Sequence, residues 1–380
     1  MLDRPSPAVD GLKRAERIAA SIEAAILAGQ FPLGERLGNE ADLARQNGVS
    51  RWTMREAIAI LEQAGSIVAR RGGGGGLFVA APPSELARNA IGTYFEFAHV
   101  PIAAINATRL ALAGVAIDLA IQRLDAGQRA DLAAMLLRSE AGGVAAVSAV
   151  AEARKLLREV SGNTALILFL AALSDIVLYS SWASALDDTT FVALIDRLTA
   201  TNRQLVLAVL ANRREAAIAA EAASLETVSE LHAASSVSGN FRSVPNAAER
   251  AYALYPGSRP TKKAEAVAWA IRQRIADESL APGDHLGSES SLMARHGAGR
   301  PVLREAVRIL ERLGVAAMQR GGASGLVVTS PDPARIIALA RAYLARAGTS
   351  PAEREAVRRA LDSRPPNPAS KLLRAIAGDD

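Results

Sequence analysis

The chain repeats itself. Shifted by 249 residues against its own sequence, the stretch from Gly34 to Val79 lies on Gly283 to Val328 without a gap, and twenty of the forty-six positions are identical. A self-match of that length means two copies of one module. Whatever the first copy folds into, the second must fold into as well, and the rest of the chain has to be arranged around the pair. At 380 residues there is room for two or three domains, each large enough to bury a core.

Inside the repeat, GVSRWTMREAIAILEQAG (Gly48 to Gly65) answers to GAGRPVLREAVRILERLG (Gly297 to Gly314). Both read as the recognition helix of a helix-turn-helix. A helix that enters the major groove needs guanidinium groups one turn apart near its N-terminal end, and Arg51 with Arg55, then Arg300 with Arg304, meet that condition. Met54, Ile58 and Leu61 form the apolar stripe behind them. Ser50 suits the N-cap; Gly299 caps less well, but Pro301 fits the first turn. Taken alone, the arginines are equally consistent with a solvated amphipathic helix. Before this helix the pattern predicts a first helix over Lys13–Ala28 with Ile18, Ile22, Ile26 and Leu27 buried, and a second over Asn39–Gln46 capped by Asn39. After it, strands are expected at Ile67–Arg70 and Leu77–Ala80, joined by the five glycines Gly72–Gly76. No GK[ST] follows those glycines, so a hairpin tip is preferred to a phosphate-binding loop, with Arg70, Arg71 and Gly72 offered to the DNA backbone. The second tip keeps Arg320 and Gly321.

Gly34, Leu37, Glu40, Leu43, Val49, Ser50, Arg51, Arg55, Glu56, Ala57, Leu61 and Gly65, followed by Gly76, Phe78 and Val79, resemble the winged-helix signature of GntR-type bacterial transcription regulators. The resemblance runs through both copies. It implies DNA reading by Ser50, Arg51, Thr53 and Arg55 in the first and by Arg300 and Arg304 in the second. Three departures stand out: Thr53 where the family usually has Pro, Ala41 and Ser290 where a basic residue often follows the glutamate, and Ala298–Gly299 for the family's Val–Ser.

Charge follows the same division. Residues 13–79 hold nine Lys and Arg against seven Asp and Glu, residues 261–328 ten against seven, and residues 84–232 twelve against sixteen. Basic ends around an acidic middle suit phosphate-facing modules attached to one that is not. Zero cysteines exclude disulfides, thiol nucleophiles and thiolate zinc sites. The longest unbroken apolar run, Ala165–Leu173, is too short to span a bilayer, and Asp3, Arg4 and Pro5 interrupt any leader, so a cytoplasmic protein without membrane attachment is expected.

The middle reads as nearly all helix, with breaks at Pro101, Asp125, Gly142–Gly143, Gly162–Asn163 and Asp187–Asp188. An all-helical block after a GntR head looks like the effector domain of the FadR-type subgroup, and Ser161–Gly162–Asn163 is similar to that subgroup's SGN segment. Many such domains hold a metal with an acidic residue and three histidines. Here those histidine positions fall on Arg154 and near Asn202 and Ser224, so neither a metal nor another cofactor is expected. The polar groups available to a small organic-acid effector are Arg109, Asn106, Arg154, Asn163, Tyr179 and Asn202, with Tyr94 and Trp182 nearby in pattern. By the resemblance Arg109 would take the effector carboxylate; a structural salt bridge within the bundle is the competing reading. No acid–base pair or nucleophile constellation appears, and Lys155 is the one lysine available to a cofactor in residues 84–232, so the protein is not expected to be an enzyme.

The expected fold class is mainly α, with two winged helix-turn-helix domains carrying a small β wing and flanking an all-helical bundle of six or seven helices. The domains are residues 1–12 lead-in, 13–81 first winged helix, 84–234 helical effector or dimerisation block, 235–260 linker, 261–330 second winged helix, and 331–380 a helical tail. The tail continues the repeat, matching Tyr94 with Tyr343 and Arg109 with Arg358, as if the first two helices of the block were begun again and abandoned. Two apolar helices without a bundle need cover, and the first block is the natural source. The expected partner is a double-stranded DNA operator holding an inverted repeat, read by a homodimer or by an intramolecular pseudo-dimer. An architectural protein with tandem winged helices and no effector is the alternative.

Overall fold

A computed structural model of the protein describes residues 14–63, 65–70, 72, 75–80, 84–179, 188–237, 262–319 and 325–378. The first module runs α1 (Arg14–Leu27), β1 (Arg36–Gly38), α2 (Glu40–Gln46), α3 (Arg51–Gln63), β2 (Ile67–Arg70) and β3 (Gly76–Val79). Ile18, Ile22 and Ile26 of α1 meet Met54, Ile58 and Leu61 of α3 over Leu77 and Val79 of the wing, closing a small apolar core. The sheet is antiparallel in the order β1-β3-β2. The sequence pattern does not reveal β1, because three residues are too few for an alternation to register. It exists because the hairpin offers it an edge, Arg36 pairing with Phe78.

Module two repeats every element: α11 (Lys263–Asp277), β4 (His285–Gly287), α12 (Glu289–His296), α13 (Arg300–Leu313), β5 (Ala316–Gln319) and β6 (Gly325–Val328). Strand order and register carry over, Val68 opposite Phe78 becoming Ala317 opposite Val327. One wing glycine is fixed by contact. A Cβ on Gly76 would lie 2.8 Å from the Gly38 carbonyl oxygen, and one on its counterpart Gly325 would lie 2.6 Å from that of Gly287.

Between the modules lie α4 (Ser84–Phe97), α5 (Ile102–Arg123), α6 (Ala126–Arg138), α7 (Gly143–Val160), α8 (Thr164–Tyr179), α9 (Asp188–Leu210) and α10 (Arg214–Val237). Asp125 stops one helix and starts the next through a full capping box with Gln128. One break has no glycine or proline to announce it: Asn212 separates α9 from α10 by adopting φ 55°, a left-handed conformation that asparagine tolerates better than most residues. The helix α10 runs to Val237, and the rest of the expected linker, with its short helix near 247–254, lies outside the described residues.

The tail forms α14 (Pro333–Arg346), α15 (Pro351–Asp362) and α16 (Pro368–Ala377). Ile336, Leu344, Val357, Leu361, Leu373 and Ile376 share one continuous core with Ile91 and Phe95 of α4, Leu112 of α5, and Leu166, Phe169 and Leu173 of α8. The tail's copy of these helices is thus buried against the block that it matches. The helix α5 is long and apolar enough to cross a membrane by length and composition, and 44% of its most apolar window is buried inside the fold.

The same 14-residue element, α4 in one copy and α14 in the other, packs against its own counterpart. Each also crosses to the opposite module: Phe97 of α4 packs on the core of module two, while Arg346, its positional match on α14, donates to the carbonyl oxygens of Ala80 (2.7 Å) and Ile26 (3.3 Å) in module one.

Candidate nucleic-acid interface

The helix α3 is set by its cap and its buried stripe. Ser50 Oγ accepts the Thr53 amide at 3.1 Å and lies 2.9 Å from the Thr53 hydroxyl, satisfying the first turn. With Met54, Ala57, Ile58 and Leu61 buried, Arg51 and Arg55 are left on the exposed face. Arg55 is held there by Glu40 of α2, its Nε 3.1 Å from Oε2 and its Nη2 2.9 Å from Oε1, a fork that aims the guanidinium across the helix-turn-helix. In module two Glu289 takes the place of Glu40 and lies 3.3 Å from Arg300 and 3.4 Å from Arg304. Glutamate at this point was visible in the sequence; its role as the brace of the arginine was not.

A second residue escaped the sequence reading. Trp52 follows Arg51 on the open face and is 72% exposed, the most exposed of the large apolar side chains in the described residues. Its position off the Met54–Ile58–Leu61 stripe was the available signal. An aromatic ring there is a surface for a base edge or a thymine methyl group. In module two this position is Pro301.

The wing places Arg70 at the end of β2, its guanidinium stacked 4.6 Å above the centre of the Phe78 ring. Gly72 is exposed with φ 110°, a conformation that favours glycine, and Arg36 Nη2 ties the tip to β1 by donating to the Gly75 carbonyl oxygen at 3.0 Å. Arg71, Arg320 and Gly321 lie outside the described residues.

The candidate effector residues divide. Arg109 and Arg154 converge on Glu221 of α10, a residue that no motif singles out, and Asn202 joins the cluster through Arg154. Arg154 grips that carboxylate with two bonds of 2.6 and 2.8 Å and donates to Asn202 Oδ1 at 2.6 Å, while Arg109 Nε lies 3.3 Å from Glu221 Oε1. Burial alone would push the Glu221 carboxyl up, but Arg154 and Arg109 outweigh it and hold the group at about 2. Positions where the subgroup resemblance places histidines, Arg154 and Asn202, therefore do meet, and an ion-pair cluster fills the space between them. Among the described residues no group of three or more His, Asp or Glu could hold a metal. Beside the cluster is a cavity of about 40 Å³ lined by Ala113, Ile117, Leu157, Leu170 and Val209, room for a few waters.

The other candidates lie apart. Asn106 donates to the Leu225 carbonyl oxygen (3.1 Å) and to Ser229 Oγ (2.8 Å), joining α5 to α10. Asn163 caps α8 by accepting the Leu166 amide at 3.1 Å and donates to the Glu353 carbonyl oxygen, tying the block to the tail. Tyr94 packs edge-on against Phe95, 6.0 Å between ring centres. The side chains of Tyr179 and Trp182 are outside the described residues.

The family model described as bacterial regulatory proteins, gntR family, matches residues 14–77 and 263–326. An uncharacterized HTH-type transcriptional regulator of Mycobacterium tuberculosis is 49% identical over 55 residues, 14% of this chain and 23% of that protein. RmpR of Mycobacterium gastri, named as an HTH-type transcriptional regulator, is 31% identical over 115 residues, 30% of this chain and 42% of that protein. The chain thus spans less than half the length of either relative. A solved GntR of Streptococcus agalactiae is similar over 57% of this chain and 99% of its own, at 19% identity and a TM-score of 0.32.

Proposed function

Two GntR-family domains lie in one chain, and from that premise we propose that the protein is a sequence-specific, DNA-binding regulator of transcription acting in the cytoplasm. This rests on the pair of exposed arginines repeated at one-turn spacing on α3 and α13, with Arg55 forked onto Glu40 and both Arg300 and Arg304 ion-paired with Glu289 of the preceding helix. Direct reading needs guanidinium groups presented in a fixed direction, and a braced arginine has already lost much of the freedom that binding would remove. Two readers in one chain suit an inverted repeat, with the covalent link taking the place of a second subunit. The wings, through Arg70, Arg71, Gly72, Arg320 and Gly321, would hold the phosphates and fix register.

The effector reading rests on the buried cluster. Two guanidinium groups meet there, the chemistry that grips a small organic acid, and the acid would have to compete with Glu221 for Arg109 and Arg154. The small cavity next to it would have to widen to admit such a molecule.

Selection of random duplex DNA followed by sequencing tests the regulator. The wild type is expected to enrich an inverted repeat, with Arg51→Ala plus Arg55→Ala erasing one half-site and Arg300→Ala plus Arg304→Ala the other. No enriched motif from the wild type would favour the architectural alternative.

A further inference from the structure

The surfaces through which the two modules pair are not interchangeable. Glu23 on α1 lies 3.7 Å from Arg335 of α14, and Arg312 at the end of α13 adds a second positive charge facing it. The position matching Glu23 in module two is Arg272 on α11, and it too meets the opposite copy's connecting helix, nearer that helix's far end and with the charges exchanged: its Nε donates to Glu96 of α4 at 2.7 Å, and its Nη2 contacts the same oxygen. Both pairs bridge a module to the connecting helix that leaves the other one, so they belong to one approximately two-fold arrangement.

The repeat shows what pairing of like with like would bring together. Two first modules would set Glu23 against Glu96, and the cations that Glu23 now meets would become Leu86 and Gln63, their matches in the first copy. Two second modules would set Arg272 against Arg335 and Arg312, with Ala345 where Glu96 stood. Each like pairing exchanges attraction for repulsion in a half-buried setting, where charges are less screened than in open water. Of the three pairings, only the mixed one sets both Glu23 and Arg272 against an opposite charge.

We infer that this interface is a recognition surface with one partner: module one is built to pair with module two, and neither is built to pair with its own kind. The partner is the other copy within the same chain, because α14, α15 and α16 are buried in the core formed by α4, α5 and α8 and so hold module two against module one. Discrimination by a few opposed charges is a general way to choose between surfaces of nearly identical shape. The inference concerns the pairing of modules and is tested without DNA, so its failure would leave the DNA-reading proposal standing, and the reverse holds too.

The chain has no cysteine, so spin labels can be placed at will. Gln46→Cys and Arg295→Cys occupy matching exposed positions on α2 and α12. Pulsed electron paramagnetic resonance on the full-length, doubly labelled protein is expected to give one narrow distance, and protein labelled only at Gln46→Cys is expected to give none. Glu96→Arg should disperse the narrow distance in most molecules, and adding Arg272→Glu should bring it back, since the pair is then restored with its signs reversed. Circular dichroism confirms that both variants are folded. An unchanged distance in Glu96→Arg, no recovery in the double variant, or a distance between singly labelled wild-type chains would overturn the inference.

Discussion

The two modules differ on their surfaces and hardly at all inside. Core and register correspond element by element: the Ala69 amide donates to Glu62 as the Met318 amide does to Glu311, both at 3.1 Å, and Arg14 reaches the Gly48 carbonyl oxygen as Lys263 reaches that of Gly297. The reading faces diverge, with Ser50, Trp52 and Thr53 against Gly299, Pro301 and Val302. So does the wing, where Phe78 carries the stacked Arg70 and the matching pair is Val327 and Gln319. A packed interior constrains each change by its neighbours, whereas an exposed position answers only to what it touches. Two copies of one module have kept their architecture and diverged on the faces proposed to read DNA.

The sharpest contrast between copies lies beyond the winged helices and should give the largest effect. Arg109 is 8% exposed and bound to a buried carboxylate; its match Arg358 is half-buried and pairs with Glu355 on its own helix. Arg109→Ala is expected to cost about 3 kcal/mol of folding stability, the low end for breaking a buried ion pair since Arg154 remains, and Arg358→Ala about 0–1 kcal/mol, as urea titration would report. Equal losses would break the comparison. The first loss depends on pH in a defined sense. Because Glu221 is held below its ordinary value of 4.5, its contribution is complete above that pH and disappears as pH falls toward about 2. The gap between wild type and Arg109→Ala should therefore close over that window.

Next come the readers. Removing Arg51 and Arg55, or Arg300 and Arg304, should each weaken binding to the selected DNA by about 2–4 kcal/mol, measured by fluorescence anisotropy at fixed salt. A loss confined to the first pair would mean that module two serves only the pairing. Gly76→Ala and Gly325→Ala should each lower stability by about 1–3 kcal/mol, because β1 or β4 must retreat from the new methyl group. The smallest effect, about 1 kcal/mol, is expected at Trp52→Ala, read as relaxed base preference in one half-site only. Relaxation in both half-sites would show that the copies read alike after all.

Much of this was legible without coordinates. The repeat at an offset of 249 residues, the arginine spacing and the Met54–Ile58–Leu61 stripe specified two winged helices, because local periodicity and a buried face are properties of consecutive residues. Helix boundaries at Pro101, Asp125 and Gly162 followed from backbone chemistry in the same way. The break at Asn212 did not, since asparagine permits a left-handed turn without demanding one.

Runs of neighbouring residues set which segments fold, into what, and that one unit occurs twice. The tertiary structure alone decided what those segments meet: that Glu221 takes the arginines offered to an effector, that Asn163 ties the bundle to the tail, that the unfinished second repeat is covered by α4, α5 and α8, and that Arg272 finds Glu96 from 176 residues away. Secondary structure and burial are written in neighbouring residues. The partner of a buried charge is chosen by geometry between distant helices, and no spacing along the chain records it.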